Sequence, residues 1–345
     1  MKTFKTLLIL ALTIVAGATA IHAQDKLRLT LGTQANDTMS NGQSLLAVFK
    51  PAIEKHSGGR IQLDVRGNGA LCSEQICVEQ MRLGQVDIAT VSSGNVGAFG
   101  TTFDLLNLPY IFKDNASAER IFNNWLVKEL GERSEKELKM HMIALIPVGG
   151  FRNIDTTKKQ IKVPADLKGL KIRVTKSPTE FNLVKSWGAA PIPYDWTQLY
   201  EGLQSGVVEG MYLQDTFTVT GKFTEVVKYV TQVNSAYSAH PILMDLERYR
   251  KLPSWAREAI DKAGADWMRE AFAYDVKWQQ LAASALQGKA QIYVPNEKEM
   301  ALWHKGAIEA WTSVRGTFDP KLVRRILEEQ GQKELIKELE AAKAL

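Results

Sequence analysis

An arginine in the middle of a strand packs poorly and receives anions well. In "GLKIRVTKSPTE" Arg173 holds such a place, just upstream of a helix start. Its guanidinium is always charged, and the planar fork matches a carboxylate through two parallel hydrogen bonds. The pattern alone has a plainer explanation. Lys171 and Thr175 share a face with Arg173, as on a solvated strand, where charged residues are mostly found. Trp196 follows at the first turn of the next helix, on the rim where a strand-end loop enters it. There it either packs under that loop or stacks on a ligand. Tyr194, Tyr212, Phe217 and Tyr237 read as core or rim aromatics.

The cysteines are Cys72 and Cys77, in "GALCSEQICVEQ". Residues five apart do not face each other on a regular helix. A disulfide therefore requires the chain to turn at Cys72 and enter a helix near Cys77. An exported chain meets an oxidising compartment, which favours the bond over two buried thiols. No His/Cys cluster accompanies the pair, so neither a metal nor another cofactor is expected. The five histidines are scattered without ligand spacing. No G-x-S-x-G, H-E-x-x-H or G-x-x-x-x-G-K-[ST] motif occurs, so an enzyme is not expected.

The elements that must position these groups alternate between strand and helix. "KLRLTLGT" alternates as a strand and breaks into the polar loop "QANDTMSNGQ". "SLLAVFKPAIEKHSGG" reads as a helix with a glycine stop, "RIQLDVRG" as a strand, "EQICVEQMRLG" as a helix and "QVDIATVSSG" as a strand. This is the rhythm of an open α/β sheet, which binds ligands beyond the carboxyl ends of its strands. Gln34, Asn36, Ser92 and Ser93 lie in loops at those ends and are candidate ligand contacts.

After "MHMIALIPVGGFRNID" the rhythm restarts. Ser177 as cap, Pro178 at the first helical position and Glu180 as the third member spell a capping box. Asp195 and Gln198 repeat that spacing before the next helix. A very long helical pattern then begins at "PSWAREAI", with Gly264 as its one strong breaker, and it could connect two domains. The charged C-terminal helical segment has a stop at Gly331.

At 345 residues, with 45% hydrophobic and 23% charged, the chain has an ordinary globular balance and room for two domains. "MKTFKTLLILALTIVAGATAIHAQD" reads as a secretory signal: basic Lys2 and Lys5, an apolar run, then small residues permitting cleavage after Ala20 or Ala23. Residues 1–23 carry two lysines and no acid, so the formal charge of +5 becomes +3 in the mature chain. That mild charge calls for neither nucleic acid nor a membrane surface.

Taken in order, "GNGALCSEQICVEQMRLGQVDIA", "FDLLNLPYIFKD", "DLKGLKIRVTKSP", "GAAPIPYDWTQLYEGLQSGVVEG" and "RYRKLPSWAREAI" resemble the solute-binding proteins of tripartite ATP-independent periplasmic (TRAP) transporters, the DctP-like family. The likeness runs over nearly the whole mature chain. It implies an α/β, two-lobed periplasmic binding protein with a hinge and one long helix spanning both lobes. After a signal peptide over 1–23, lobe I is expected over 24–149 plus about 240–278, and lobe II over 150–239 plus about 279–345. It also implies capture of a small carboxylate and its delivery to the TRAP membrane permease. A monomer is expected.

Within this family Arg173 is the carboxylate clamp, Arg152 of "GGFRN" matches a helping arginine, and Trp196 fills the place of an aromatic that covers the ligand. Tyr237 and His240 of "AYSAHPILM" fall in a segment that borders the cleft in relatives, although a lone histidine also suits a structural role. Many relatives place an Asn where Leu213 or its neighbour stands here. Its absence points away from C4-dicarboxylates and sialic acid and, with the local aromatics, toward an aromatic or branched hydroxy or oxo acid. The alternatives are a ligand-loaded co-receptor for a sensor, a binder serving an ATP-driven importer, or a periplasmic hydrolase.

Overall fold

The computed structural model describes residues 26–345. The signal peptide expected over 1–23 lies outside the described residues. Ten strands form one continuous sheet: β1 (Leu27–Gly32), β2 (Ile61–Arg66), β3 (Ile88–Thr90), β4 (Met140–Thr156), β5 (Lys171–Val174), β6 (Ala190–Pro193), β7 (Gly210–Gln214), β8 (Tyr229–Thr231), β9 (Tyr237–Asp245) and β10 (Gln291–Tyr293). The main order is β2-β1-β3-β9-β4-β7-β5-β6, with β8 joining β4 to β10. The expected α/β class is what forms. Parallel pairs β2-β1-β3 lie on one side and β7-β5-β6 on the other, joined through antiparallel β9 and β4.

The 17-residue β4 belongs to both halves. Residues 140–147 and Phe151 pair with β9, residues 152–156 pair with β7, and residues 154–156 pair with β8. Between them the register slips at Gly149 and Gly150, whose φ angles are +82° and +78°. Only glycine adopts that conformation cheaply. The kink falls where the chain passes from one half of the sheet to the other.

The long helix Ser254–Leu286 lies along this crossing strand. Gly264 does not break it. A Cβ at that position would sit 2.2 Å from the Ile143 carbonyl oxygen, so the glycine is there to let helix and strand approach. Trp267 stacks on Phe49 at 4.9 Å and donates its indole N–H to Ser44. Further along, the buried Asp275 accepts hydrogen bonds from Ser40, Gln279 and the Gly149 amide, tying the helix to the kink. Its carboxyl is pushed upward by burial.

Two helix starts differ from their sequence reading. Ser177 does cap Pro178–Ser186 by accepting from the Glu180 amide. The Glu180 carboxylate does not return to Ser177, however. It accepts from the Thr175 amide and lies against Arg152, so the box is half formed. Asp195 makes no side-chain cap; Trp196–Gln198 forms a tight single turn before Leu199–Ser205. The C-terminal helices Pro320–Glu329 and Lys333–Ala341 pack into the core cluster containing Phe112, Phe122 and Trp311. Among the described residues no helix is long and apolar enough to cross a membrane.

Candidate functional site

The carboxyl ends of β1, β3, β5 and β7 converge, with β4 and β9 beneath them, on one cavity. Gln34 reaches it from β1, Ser92 from β3, Arg173 and Thr175 from β5, and Leu213 and Gln214 from β7; Arg152 of β4 and His240 of β9 complete the polar lining. Met39, Trp196, Leu213 and Phe217 supply apolar surface. The space that water centres can occupy is about 40 Å³. That is room for about three waters, since one needs roughly 10–15 Å³ on this measure.

Arg173 lies on the strand as the sequence indicates, but not on a solvated face. It is 3% exposed. Its Nε donates to the Tyr194 carbonyl at 3.0 Å, and its terminal nitrogens have no hydrogen-bond partner among the described residues. Burial, with the nearby Arg152, pushes its pKa down to about 10, while Glu180, Glu74 and Asp195 oppose the fall. It remains a cation at neutral pH, with the bidentate end of its fork free.

Arg152 is differently placed. Its Nη1 donates to the Tyr212 carbonyl at 3.1 Å. Its Nε lies 3.2 Å from Oε1 of Glu180, which is fully buried. The two atoms are close enough for an ion pair but are not aligned as a hydrogen bond. Glu180 therefore offsets the charge of Arg152, while Nη2 of Arg152, like the terminal nitrogens of Arg173, has no hydrogen-bond partner among the described residues.

His240 lines the cavity and is buried. Desolvation pushes its pKa down to about 4, against Glu74 and together with Arg152, so it is neutral at ordinary pH. Trp196 meets Phe217 and Phe223 edge to face at 5.5 and 5.2 Å, forming an aromatic wall that touches the cavity. A second cavity shares Gln34, Met39 and Trp196 with the first, and Asn36 lies on it.

Two of the named residues lie elsewhere. The Ser93 hydroxyl is turned to Asn107, and Tyr237 is packed among Phe112, Phe122 and Phe151. Neither belongs to the lining of the main cavity.

Sequence reasoning passed over Glu74, Asn41, Asn95, Thr175 and Gln214, all of which line the cavity. Thr175 could have been found from its shared face with Arg173, and Gln214 as the neighbour of Leu213. Glu74 sits between the cysteines, which are joined in a disulfide as expected. Cys72 precedes the helix Glu74–Arg82 and Cys77 is in its first turn, so the chain bends there. Gln34 donates to the Cys72 carbonyl, which ties the stapled turn to the end of β1.

The sequence model of one family, described as "Bacterial extracellular solute-binding protein, family 7", matches residues 31–316. A solute-binding protein of Verminephrobacter eiseniae is 31% identical over 243 residues, covering 70% of this chain and 71% of that protein. The 2,3-diketo-L-gulonate-binding periplasmic protein YiaO of Escherichia coli is 25% identical over 248 residues, covering 72% of this chain and 74% of that one. Among solved structures, a TRAP periplasmic solute-binding protein of Haemophilus influenzae with bound L-gulonate superposes with a TM-score of 0.82 at 22% identity. That match covers 88% of this chain and all of the other, and it shows the two-lobed fold.

Proposed function

The chain belongs to family 7 of the bacterial extracellular solute-binding proteins, receptors rather than enzymes, and from that premise we propose that it captures a small organic carboxylate between its lobes and delivers it to a TRAP-type permease. The observation that carries this reading is the free fork of Arg173, a buried cation whose terminal donors have no partner among the described residues. A carboxylate satisfies both donors at once and neutralises the charge. Relatives whose names record a ligand bind acids, 2,3-diketo-L-gulonate and L-gulonate among them.

In this reading Arg173 is the clamp. Arg152, ion-paired with Glu180, adds positive potential and a helping donor. Trp196, Leu213 and Phe217 cover the carbon skeleton. The apolar wall supports an acid with a compact apolar skeleton, aromatic or branched. Closure of the two lobes excludes water and strengthens the charge pairing. The signal-like N-terminus supports export of the mature protein to the periplasm.

Deletion of the gene tests delivery: uptake of the bound acid is expected to be lost. Normal uptake in the deletion strain, with binding intact in the purified protein, would instead indicate a sensory co-receptor.

A further inference from the structure

We propose that the cavity selects a ligand bearing a hydrogen-bond donor besides its carboxylate, and that Glu74 sets this selectivity. The inference rests on the carboxylate reading of Arg173 and extends it to the rest of the ligand.

Glu74 is 8% exposed and lines the cavity. One of its oxygens, Oε2, accepts three hydrogen bonds: from the Ser92 amide at 3.1 Å, the Ser92 hydroxyl at 2.7 Å and the Asn95 side-chain amide at 2.6 Å. Those bonds fix the side chain. The other oxygen, Oε1, accepts none from the described residues and is not sealed inside the protein. It is an ionisable acceptor with its lone pairs unused.

Gln214 carries the same sign. Its Nε2 donates to the Val148 carbonyl at 3.0 Å, which settles the orientation of the amide. Its Oε1 is an acceptor without a partner among the described residues, sealed just behind the cavity wall. Buried acceptors left unpaired cost free energy until a donor arrives. The cavity thus offers the spare donors of its arginines and the spare acceptor of Glu74, with Gln214 adding an acceptor dipole behind the wall. Its complement is a carboxylate, a hydroxyl or ammonium group, and a short apolar skeleton.

The same arrangement rejects close analogues. A second carboxylate would bring like charge against Glu74. An oxo group would present lone pairs to lone pairs. A plain alkanoate would leave the acceptors unsatisfied. The Cys72–Cys77 bond brackets Glu74 in sequence, and the helix it starts is held against β1 at Gly32, where any Cβ would lie 2.8 Å from Cys77 Sγ. The staple thereby keeps Glu74 in position.

The test uses full-length mature protein, unfolded and refolded to remove any carried ligand, and titrated calorimetrically with one four-carbon series. The series is 2-hydroxybutanoate, 2-aminobutanoate, 2-oxobutanoate, butanoate, succinate and the neutral 1,2-butanediol. The hydroxy or the amino acid is expected to bind roughly tenfold to a hundredfold more tightly than the oxo acid, butanoate or succinate. Whichever of the two binds better identifies the donor as hydroxyl or ammonium. Glu74→Gln keeps an oxygen for Ser92 and Asn95 but turns an NH2 group to the cavity. The preference should then invert, with 2-oxobutanoate and succinate gaining on the donor-bearing acids. Equal binding of butanoate and 2-hydroxybutanoate, or an unchanged ranking in Glu74→Gln, overturns the inference and leaves the carboxylate reading intact. So does failure of both donor-bearing acids to bind. Binding of butanediol as tight as that of the acid overturns the carboxylate reading beneath it. The wild-type ranking alone decides the question if the variant does not fold.

Discussion

Replacing Arg173 with methionine should make the empty protein more stable while destroying its function. Arg173 is a desolvated cation whose terminal nitrogens have no hydrogen-bond partner among the described residues. The fall of its pKa to about 10 on burial corresponds to about 3 kcal/mol against the buried charged form. Methionine removes that cost and fills similar space beside Trp196 and Leu213. It also loses the Nε bond to the Tyr194 carbonyl, worth about 1 kcal/mol net. The balance is a gain of about 2 kcal/mol in the empty protein, or a few degrees in Tm. Ligand affinity moves the other way. Truncating one partner of a buried charge pair costs about 2–5 kcal/mol, roughly thirty-fold to several thousand-fold in Kd. The assay is urea unfolding of wild type and Arg173→Met, both refolded free of ligand, with calorimetry on the same samples. A folded variant that is less stable than empty wild type by 2 kcal/mol or more would refute the reasoning. Arg173 would then be a structural cation, satisfied by its surroundings.

Three further outcomes follow from the same geometry. Arg152→Ala should destabilise the protein by about 3–5 kcal/mol, because it strands the fully buried Glu180; urea midpoints should recover substantially in Arg152→Ala/Glu180→Gln, and no recovery would show that the pair is not the cause. His240 is held neutral by burial, with a pKa near 4 against 6.5 when unfolded. Its contribution is present above pH 6.5 and is lost as pH falls toward 4, so wild type should lose about 3 kcal/mol more than His240→Gln across that window; parallel stability–pH curves would rule this out. Gly264→Ala pits helix propensity, about 1 kcal/mol in alanine's favour, against a Cβ placed 2.2 Å from the Ile143 carbonyl. Overpacking of about 1–3 kcal/mol or more should win, and a higher urea midpoint for the variant would mean that helix and strand separate easily.

Much of this architecture could be read from local pattern. Alternation in "KLRLTLGT" and "RIQLDVRG" predicts β1 and β2, and Ser177-Pro178 marks a helix start that the structure contains. The disulfide follows from compartment and from a chain that bends between the cysteines. What local pattern could not supply was the use made of each group by distant partners. Gly264 looks like a breaker because propensity sees only the helix, whereas its reason lies on β4. Glu180 looks like the third member of a capping box, yet a buried arginine 28 positions earlier draws its carboxylate away. In "KIRVT" the alternation of Lys171, Arg173 and Thr175 resembles a solvated face, because the residues that bury Arg173 come together only in three dimensions. Glu74 gave no signal at all. An acidic residue in the first turn of a helix is ordinary, and its role appears only when Ser92 and Asn95 claim one oxygen and leave the other free.

The most direct test of the central claim is a thermal-shift screen of refolded mature protein against a few hundred small carboxylates, each paired with its neutral amide or alcohol, repeated on Arg173→Ala. At a thousand times its Kd a true ligand adds about 4 kcal/mol of stability. The account predicts that only acids shift the melting temperature, that they fall in one chemical class, and that every shift vanishes in the folded variant. Neutral analogues that stabilise as well as their acids, or shifts that persist in Arg173→Ala, would contradict it.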